Sequence, residues 1–158
     1  MKKALKWISG GLLAVFVLLQ FTNPPRTNPP VVHDLFQAAA TNAPPHIVRL
    51  LHTACYDCHS SETRWPWYSR VAPISWLVVN DVKDGREQFS FSDWPVADPA
   101  YAAKRFDAVS ELVQYGDMPP KKYTLIHRDA RLTTADREEI SKWADGEAKQ
   151  IRASLKPE

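Results

Sequence analysis

Two cysteines and a histidine lie within five consecutive positions of this chain, Cys55-Tyr56-Asp57-Cys58-His59. At this spacing both thiols lie on one helical turn and can reach the two vinyl groups along one edge of a haem. Thioether bonds would hold the porphyrin against the backbone, and His59 would then supply an imidazole nitrogen to the iron. The motif therefore predicts one covalent haem c, bound by Cys55, Cys58 and His59.

Other uses of a Cys-x-x-Cys pair fit this chain less well. A zinc site needs four ligands, and without a second cysteine pair it would depend on His46, His52 or His127. A thioredoxin-like dithiol normally follows a strand in a βαβ pattern, which the sequence lacks. A disulfide between residues so close together would close too small a loop to stabilise the fold.

The position opposite His59 on the iron is expected to be filled by Met118, in Gly116-Asp117-Met118-Pro119-Pro120. A thioether ligand favours Fe(II) and raises the potential relative to two histidines, and the prolines would keep its loop rigid. A lone methionine usually fills a core, but this one lies outside any helical stripe. His127 is the rival ligand. The remaining histidines are expected to be superficial or structural: His33, His46 and His52.

The surroundings of the haem can also be sketched from the sequence. The second ring nitrogen of His59 should donate a hydrogen bond, and the carbonyl of Pro73 is a candidate acceptor. The aromatic segment at residues 64–68, Arg-Trp-Pro-Trp-Tyr, is expected to line the haem crevice and exclude water. An alternative is that it simply builds the core. The candidate partners of the haem propionates are Arg64, Arg70, Lys121 and Lys122.

Helices must position these residues, because few stretches alternate apolar and polar side chains. One helix is predicted from Pro45 towards Cys55, and a second over Ser75 to Glu87. Their expected buried residues are Ile47, Val48, Leu50, Leu51 and Ala54 in the first and Trp76, Val79 and Val82 in the second.

Two further helices carry clear end signals. Asp98 is a suitable N-cap before Pro99, and Gly116 can end that helix. Thr133 and Asp136 have the spacing of a capping box at the start of the last helix. The expected buried residues are Phe106, Val109, Leu112 and Val113 in the third helix and Ile140, Trp143, Ala144, Ile151 and Leu155 in the fourth.

The N-terminus has the pattern of a segment threaded into a membrane. An apolar run from Trp7 to Phe21 is preceded by Lys2, Lys3 and Lys6. Residues 1–22 are therefore predicted to be an uncleaved anchor, with a cleaved signal as the alternative. Residues 23–30, half of them proline, are predicted to be an extended spacer, and residues 31–158 the haem-binding domain.

The charge is unevenly distributed along the chain. Of 20 lysines and arginines, four lie in the first thirty residues, which hold no acid, so the remainder carries 16 basic and 18 acidic side chains. This balance gives no indication of nucleic-acid binding. With the lysines held inside, the domain would lie outside the cytoplasm.

The order of helix, Cys-x-x-Cys-His, long loop, Met-Pro-Pro and capped C-terminal helix resembles class I cytochromes c. The chain is more closely similar to a family of bacterial haem-binding-domain proteins, in the segments 26–30, 54–60, 64–69, 72–76, 116–120 and 131–143. The class I resemblance implies an all-α, cytochrome c-like fold in which the terminal helices cross beside the haem and methionine is the distal ligand. The closer one implies an exported or tethered monohaem protein, in the bacterial periplasm or on the outer face of the inner membrane.

Together these features predict an electron carrier between redox partner proteins rather than an enzyme. Two alternatives stay open because they depend on the sixth iron position. A peroxidase-like enzyme would need that position open or displaceable, and a sensor of a diatomic gas would let the gas displace Met118.

Overall fold

A computed structural model describes residues 2–35 and 43–155, so the outer limits of the predicted anchor and domain, residues 1 and 158, lie outside it. Within these ranges the regular secondary structure is helical, as the sequence predicted, apart from an isolated β-bridge between His33 and Asp93. The helices are α1 (Lys2–Leu19), α2 (Pro45–Ala54), α3 (Tyr56–His59), α4 (Ile74–Gln88), α5 (Pro99–Tyr115), α6 (Lys121–Ile126) and α7 (Thr134–Ser154). Short 3₁₀ turns cover Gln20–Thr22, Trp67–Arg70 and Arg128–Ala130.

The helix ends lie where the capping residues predicted them. The Asp98 side chain accepts a hydrogen bond of 2.9 Å from the Tyr101 N–H at the start of α5. Gly116 ends that helix with a φ of 81°, a left-handed conformation that glycine adopts without steric cost. Thr133 and Asp136 form the predicted capping box of α7.

Three of the predicted buried faces are partly wrong, and on α5 the exception is Leu112, which is 37% exposed. The buried residues of α4 are Ser75, Val82 and Gly85, whereas Trp76 is exposed and its indole N–H donates to the Thr22 carbonyl over 3.1 Å. On α7, Leu155 is exposed because the buried stripe ends earlier. The last residue of that stripe to be fully buried is Ala148.

The core lies where α5 packs along α7, and α2 contacts α7 as well. The contact between α2 and α7 includes an ion pair of 3.2 Å from His46 to Glu139. Aromatic rings after α4 fill the space beneath these helices, with Trp94 stacked on Phe91 and tilted against Phe106 at 4.7 Å between centroids. This buried layer supports α2 and α5, the two helices that flank the segments carrying the predicted site residues.

The single turn of α3 lies directly against α4 at Gly85. A β-carbon there would lie 2.7 Å from the carbonyl oxygen of Cys58, and 3.1 Å from its carbonyl carbon. We expect Gly85→Ala to lower the free energy of unfolding by about 1–3 kcal/mol, because backbone atoms cannot move aside as a side chain can. Chemical denaturation of the full chain measures this.

Gly146, inside α7, is the matched control, since nothing lies within 4 Å of a β-carbon built there. Gly146→Ala should raise the free energy of unfolding by about 0.5–1 kcal/mol through helix propensity alone. Equal stability of the two variants would contradict the close approach of α3 and α4.

Candidate functional site

A largely apolar cleft opens between α3, α4, α5 and the segment that follows α5. Its volume is about 290 Å³, and the empty space out to its open mouth is about 1220 Å³. The cleft brings together all four residues that the sequence singled out: Cys55, Cys58, His59 and Met118. They come from two segments more than fifty positions apart, so folding creates the site.

The two cysteines reach this cleft because the chain turns sharply between α2 and α3. Cys55 caps α2 by donating its N–H to the Leu51 carbonyl, and its own carbonyl accepts from the N–H groups of Cys58 and His59 at 3.1 and 2.9 Å. The motif is therefore one tight helical turn that presents both thiols to the cleft.

Both thiols are held in the neutral form. Burial, followed by the charge of the neighbouring thiol, raises the pKa of Cys55 to about 12. Burial also raises the pKa of Cys58 to about 11. Both are therefore weak nucleophiles in the free protein, because the thiolate and not the thiol is the reactive form. In residues 2–35 and 43–155 no group of three or more His, Cys, Asp or Glu side chains could hold a metal ion.

His59 is oriented by a backbone carbonyl. Its Nδ1 lies 3.3 Å from the Phe89 carbonyl oxygen, which can only accept, so Nδ1 carries the proton and Nε2 keeps its lone pair. The ring also stacks on Phe89, with centroids 4.4 Å apart, and burial lowers the pKa of His59. The acceptor is thus Phe89, at the end of α4, and not the suggested Pro73.

The backbone of Met118 is held from two sides. Its N–H donates to the Leu112 carbonyl over 3.1 Å, and its carbonyl accepts from the Arg137 guanidinium over 3.0 Å. The same guanidinium nitrogen bonds the Val113 carbonyl at 2.8 Å. Arg137 of α7 therefore fastens the methionine loop to the end of α5, a role with no local signal in the sequence.

Asp57, one of the two residues between the cysteines, ties this motif to α6. Arg64 contacts the Asp57 carboxylate through Nε at 3.2 Å and Nη2 at 3.1 Å, and the Tyr123 hydroxyl donates to it over 2.8 Å. Burial would raise the pKa of Asp57, but the hydrogen bonds from Arg64 and Tyr123 outweigh it and lower that pKa. Because α6 begins directly after Pro120, this network also positions the far end of the methionine loop.

One expectation about the cleft walls is not met, and the alternative iron ligand lies elsewhere. Residues 64–68 do not line the cleft, since Arg64 forms a salt bridge with Asp57 and the Trp67 side chain is 77% exposed. His127 does not line it either: its Nε2 pairs with the Tyr68 hydroxyl at 2.6 Å and its ring stacks on Tyr123. The other histidines, His33, His46 and His52, are exposed and lie outside the cleft, as predicted.

Comparison with known proteins decides which group such a cleft receives. Residues 14–146 match the model of a family described as a haem-binding domain. The chain belongs to this haem-binding domain family. It is also 25% identical over 108 residues to the cytochrome c peroxidase Ccp of Escherichia coli (strain K12), covering 66% of this chain and 23% of that protein. The chain thus spans under a quarter of that relative's length, and no solved structure matches it significantly.

The residues of this haem-binding domain fit a haem. Besides the thiols and the His59 ring, the cleft has a half-buried cation, Arg105. Its Nη1 donates to the Gln88 carbonyl over 3.1 Å, while its buried Nε has no hydrogen-bond partner among the described residues. Lys122 also lines the cleft, paired with Asp81 at 2.6 Å. Of the four candidate propionate partners, Lys122 alone lines the cleft, and Arg105 was not foreseen. Leu112, whose side chain is 37% exposed, forms part of the apolar wall of the cleft.

Proposed function

We propose that this haem-binding protein is a c-type cytochrome that carries one covalent haem and transfers single electrons outside the cytoplasm. The observation that carries the proposal is the cleft in which two neutral thiols, an oriented histidine and a methionine meet. A haem bound there supplies an iron centre that changes its charge by one electron. The chain itself supplies attachment, iron ligands and an environment from which water is excluded.

Attachment would use both cysteines. Each thiol would add its S–H across one vinyl group, so that a C–S bond would form and the thiol hydrogen would end on the neighbouring vinyl carbon. The addition consumes one thiol per vinyl, and two thiols on a single helical turn match two vinyls on one haem edge. One pair of cysteines therefore corresponds to one haem.

Two side chains would ligate the iron. His59 offers Nε2 because Phe89 holds its other nitrogen in the protonated state. Met118 offers its thioether from a loop that is fastened by Leu112 and Arg137. Such anchoring favours electron transfer, since a weak sulfur ligand stays in place in both redox states only when its loop does not move.

Asp81 and Asp84 line the cleft together with Arg105 and Lys122, and the two cations suit the propionates of a haem. The unpartnered Nε of Arg105 and the ammonium of Lys122 are placed to neutralise them. The polar network of Asp57, Arg64 and Tyr123 holds the attachment motif through the Asp57 carboxylate. These residues would tune the potential by fixing how much charge and water surround the iron.

The N-terminal helix supports a membrane location. The stretch Lys2–Thr22 is long and apolar enough to cross a membrane by length and composition, which a signal sequence also satisfies. We propose that it is an uncleaved anchor, with the domain in the periplasm or on the outer face of the inner membrane. Its partners would be redox proteins of the same compartment, and no nucleic acid is expected.

A peroxidase-like activity is the second candidate, favoured by the similarity to the Escherichia coli cytochrome c peroxidase. That similarity covers a small part of the relative. Among the described cleft residues, His59 is the only histidine, and the walls near Met118 are formed by Val109, Leu112 and Pro119. A second histidine for acid–base work on peroxide is therefore lacking there, which favours electron transfer.

Visible spectra of the full chain, made in a host that matures c-type haem, test the proposal. Oxidised and reduced samples should both be low-spin and change little when carbon monoxide is added, because Met118 would fill the remaining iron position. A high-spin spectrum with ready carbon monoxide binding would support a gas sensor, and turnover of hydrogen peroxide would support the enzyme. Absence of covalent haem would overturn the central proposal.

A further inference from the structure

The segment that follows the membrane helix is bound to the domain along its length, and we term residues 20–28 the strap. The Gln20 side chain makes a reciprocal pair with the Ala72 backbone, donating over 3.2 Å and accepting over 3.0 Å. The Thr22 carbonyl accepts from the Trp76 indole at 3.1 Å. Contacts with the domain thus begin at the last residues of the apolar helical stretch.

The C-terminal half of the strap is also hydrogen-bonded to the domain. Arg86 of α4 donates to the Thr27 carbonyl at 2.9 Å and to Asn28 Oδ1 at 3.1 Å. The Asn28 amide in turn donates to the Thr63 carbonyl over 3.0 Å, and the Trp65 indole donates to Asn28 Oδ1 over 3.1 Å. Two prolines, Pro24 and Pro25, stiffen the connection between these points. The strap therefore lies on the domain surface instead of projecting away from it.

The position of the strap determines which face of the domain meets the bilayer. At a rise of about 1.5 Å per residue, a helix over Lys2–Thr22 has about the length of the roughly 30 Å hydrocarbon core. Gln20 and Thr22 then lie at the outer membrane surface. Ala72 and Trp76 bond directly to them, so the start of α4 must lie there too.

That face exposes apolar side chains that the domain does not cover. Trp67 is 77% exposed, Leu77 62% and Ile74 43%, and they flank the residues that bond the strap. The stretch 63–77 contains no acid and two arginines. Arg64 is paired with Asp57, and the exposed Arg70 suits anionic lipid headgroups. Exposed tryptophan beside aliphatic side chains is the composition that settles at a membrane interface.

We propose that the face formed by Trp67, Ile74 and Leu77 docks on the lipid surface beside the anchor helix, so that the strap sets a fixed orientation of the haem cleft. The inference rests on the proposed uncleaved anchor. A tethered electron carrier with a fixed orientation presents one side of its cofactor to partners in the same membrane, which a free spacer would not do.

Side-chain labelling by hydroxyl radicals tests the docking, using the full chain as single copies in nanodiscs of phosphatidylcholine and phosphatidylglycerol. Trp67 and Tyr115 are equally exposed in the structure, each at 77%. We expect labelling of Trp67, normalised to the intrinsic reactivity of tryptophan, to be several-fold lower than the normalised labelling of Tyr115. Equal labelling on intact, disc-bound chains would overturn the docking while leaving the anchor and the cytochrome proposal in place.

A strap variant and a matched control complete the experiment. Gln20→Ala/Asn28→Ala removes strap side chains that bond the domain and should restore the labelling of Trp67. Thr27→Ala should leave Trp67 protected, because Thr27 bonds Arg86 through its backbone carbonyl, which the substitution keeps. Protection confined to discs with two chains would assign the face to a second copy and overturn lipid docking. An intact mass lacking the first helix would overturn the anchor and the docking together.

Discussion

Cys58→Ala is expected to leave the haem joined to the protein through a single thioether, and the double variant with Cys55→Ala to carry no covalent haem at all. Both thiols line the same cleft beside His59, and each can saturate one vinyl group. The reduced pyridine haemochrome reports the number of unsaturated vinyls by the position of its α band. Haem staining after denaturing electrophoresis should be lost completely in the double variant.

Glu62→Gln is a suitable control for these variants, since this exposed side chain lies just after the motif and outside the cleft. It should retain the haemochrome band and the haem stain of the wild type. Recovery of wild-type amounts of doubly attached haem from Cys58→Ala would show that the attachment assignment is wrong.

Met118→Ala is expected to convert the oxidised protein from low-spin to high-spin and to allow carbon monoxide to bind the reduced form. The alanine removes the thioether while the backbone of the loop stays bonded to Leu112 and Arg137. The reduction potential should fall on the order of 100 mV or more, because axial ligands shift haem potentials over about 0.8 V. Redox titration and visible spectra measure both effects.

Two variants control for this result. Asp117→Asn, in the same loop but exposed and outside the cleft, should keep the wild-type spectrum. His127→Ala should keep it as well, because the Nε2 of His127 is engaged by the Tyr68 hydroxyl. A high-spin spectrum from His127→Ala together with an unchanged one from Met118→Ala would transfer the ligand role to the histidine.

The helices were predictable because their end signals are local. A cap such as Asp98 or Thr133 bonds N–H groups within three residues, so neither depends on the rest of the fold. The exposure of each helix face depends on what packs against it. Trp76 is apolar by type but is exposed beside the strap, and Leu155 lies beyond the part of α7 that packs into the core.

The chemistry that this protein can carry could be predicted from residue types and local spacings. A Cys-x-x-Cys-His motif places two thiols and an imidazole within one turn whatever the distant chain does, and Met118 stood out because prolines surround it outside any helical stripe. The apolar N-terminal run with its basic leader is equally local. These features predicted an all-α haem protein with one N-terminal apolar helix, as found.

How that chemistry is held depends on contacts that form only when the chain folds. The acceptor for His59 is a backbone carbonyl, that of Phe89, and every residue has such a group, so no residue type marks it in the sequence. Other hydrogen bonds at the site join segments many positions apart. Arg105 bonds Gln88, Arg137 bonds Met118, and Tyr123 bonds Asp57. Long-range hydrogen bonds depend on the distance between atoms after folding, and a sequence pattern contains residue types and spacings but not those distances.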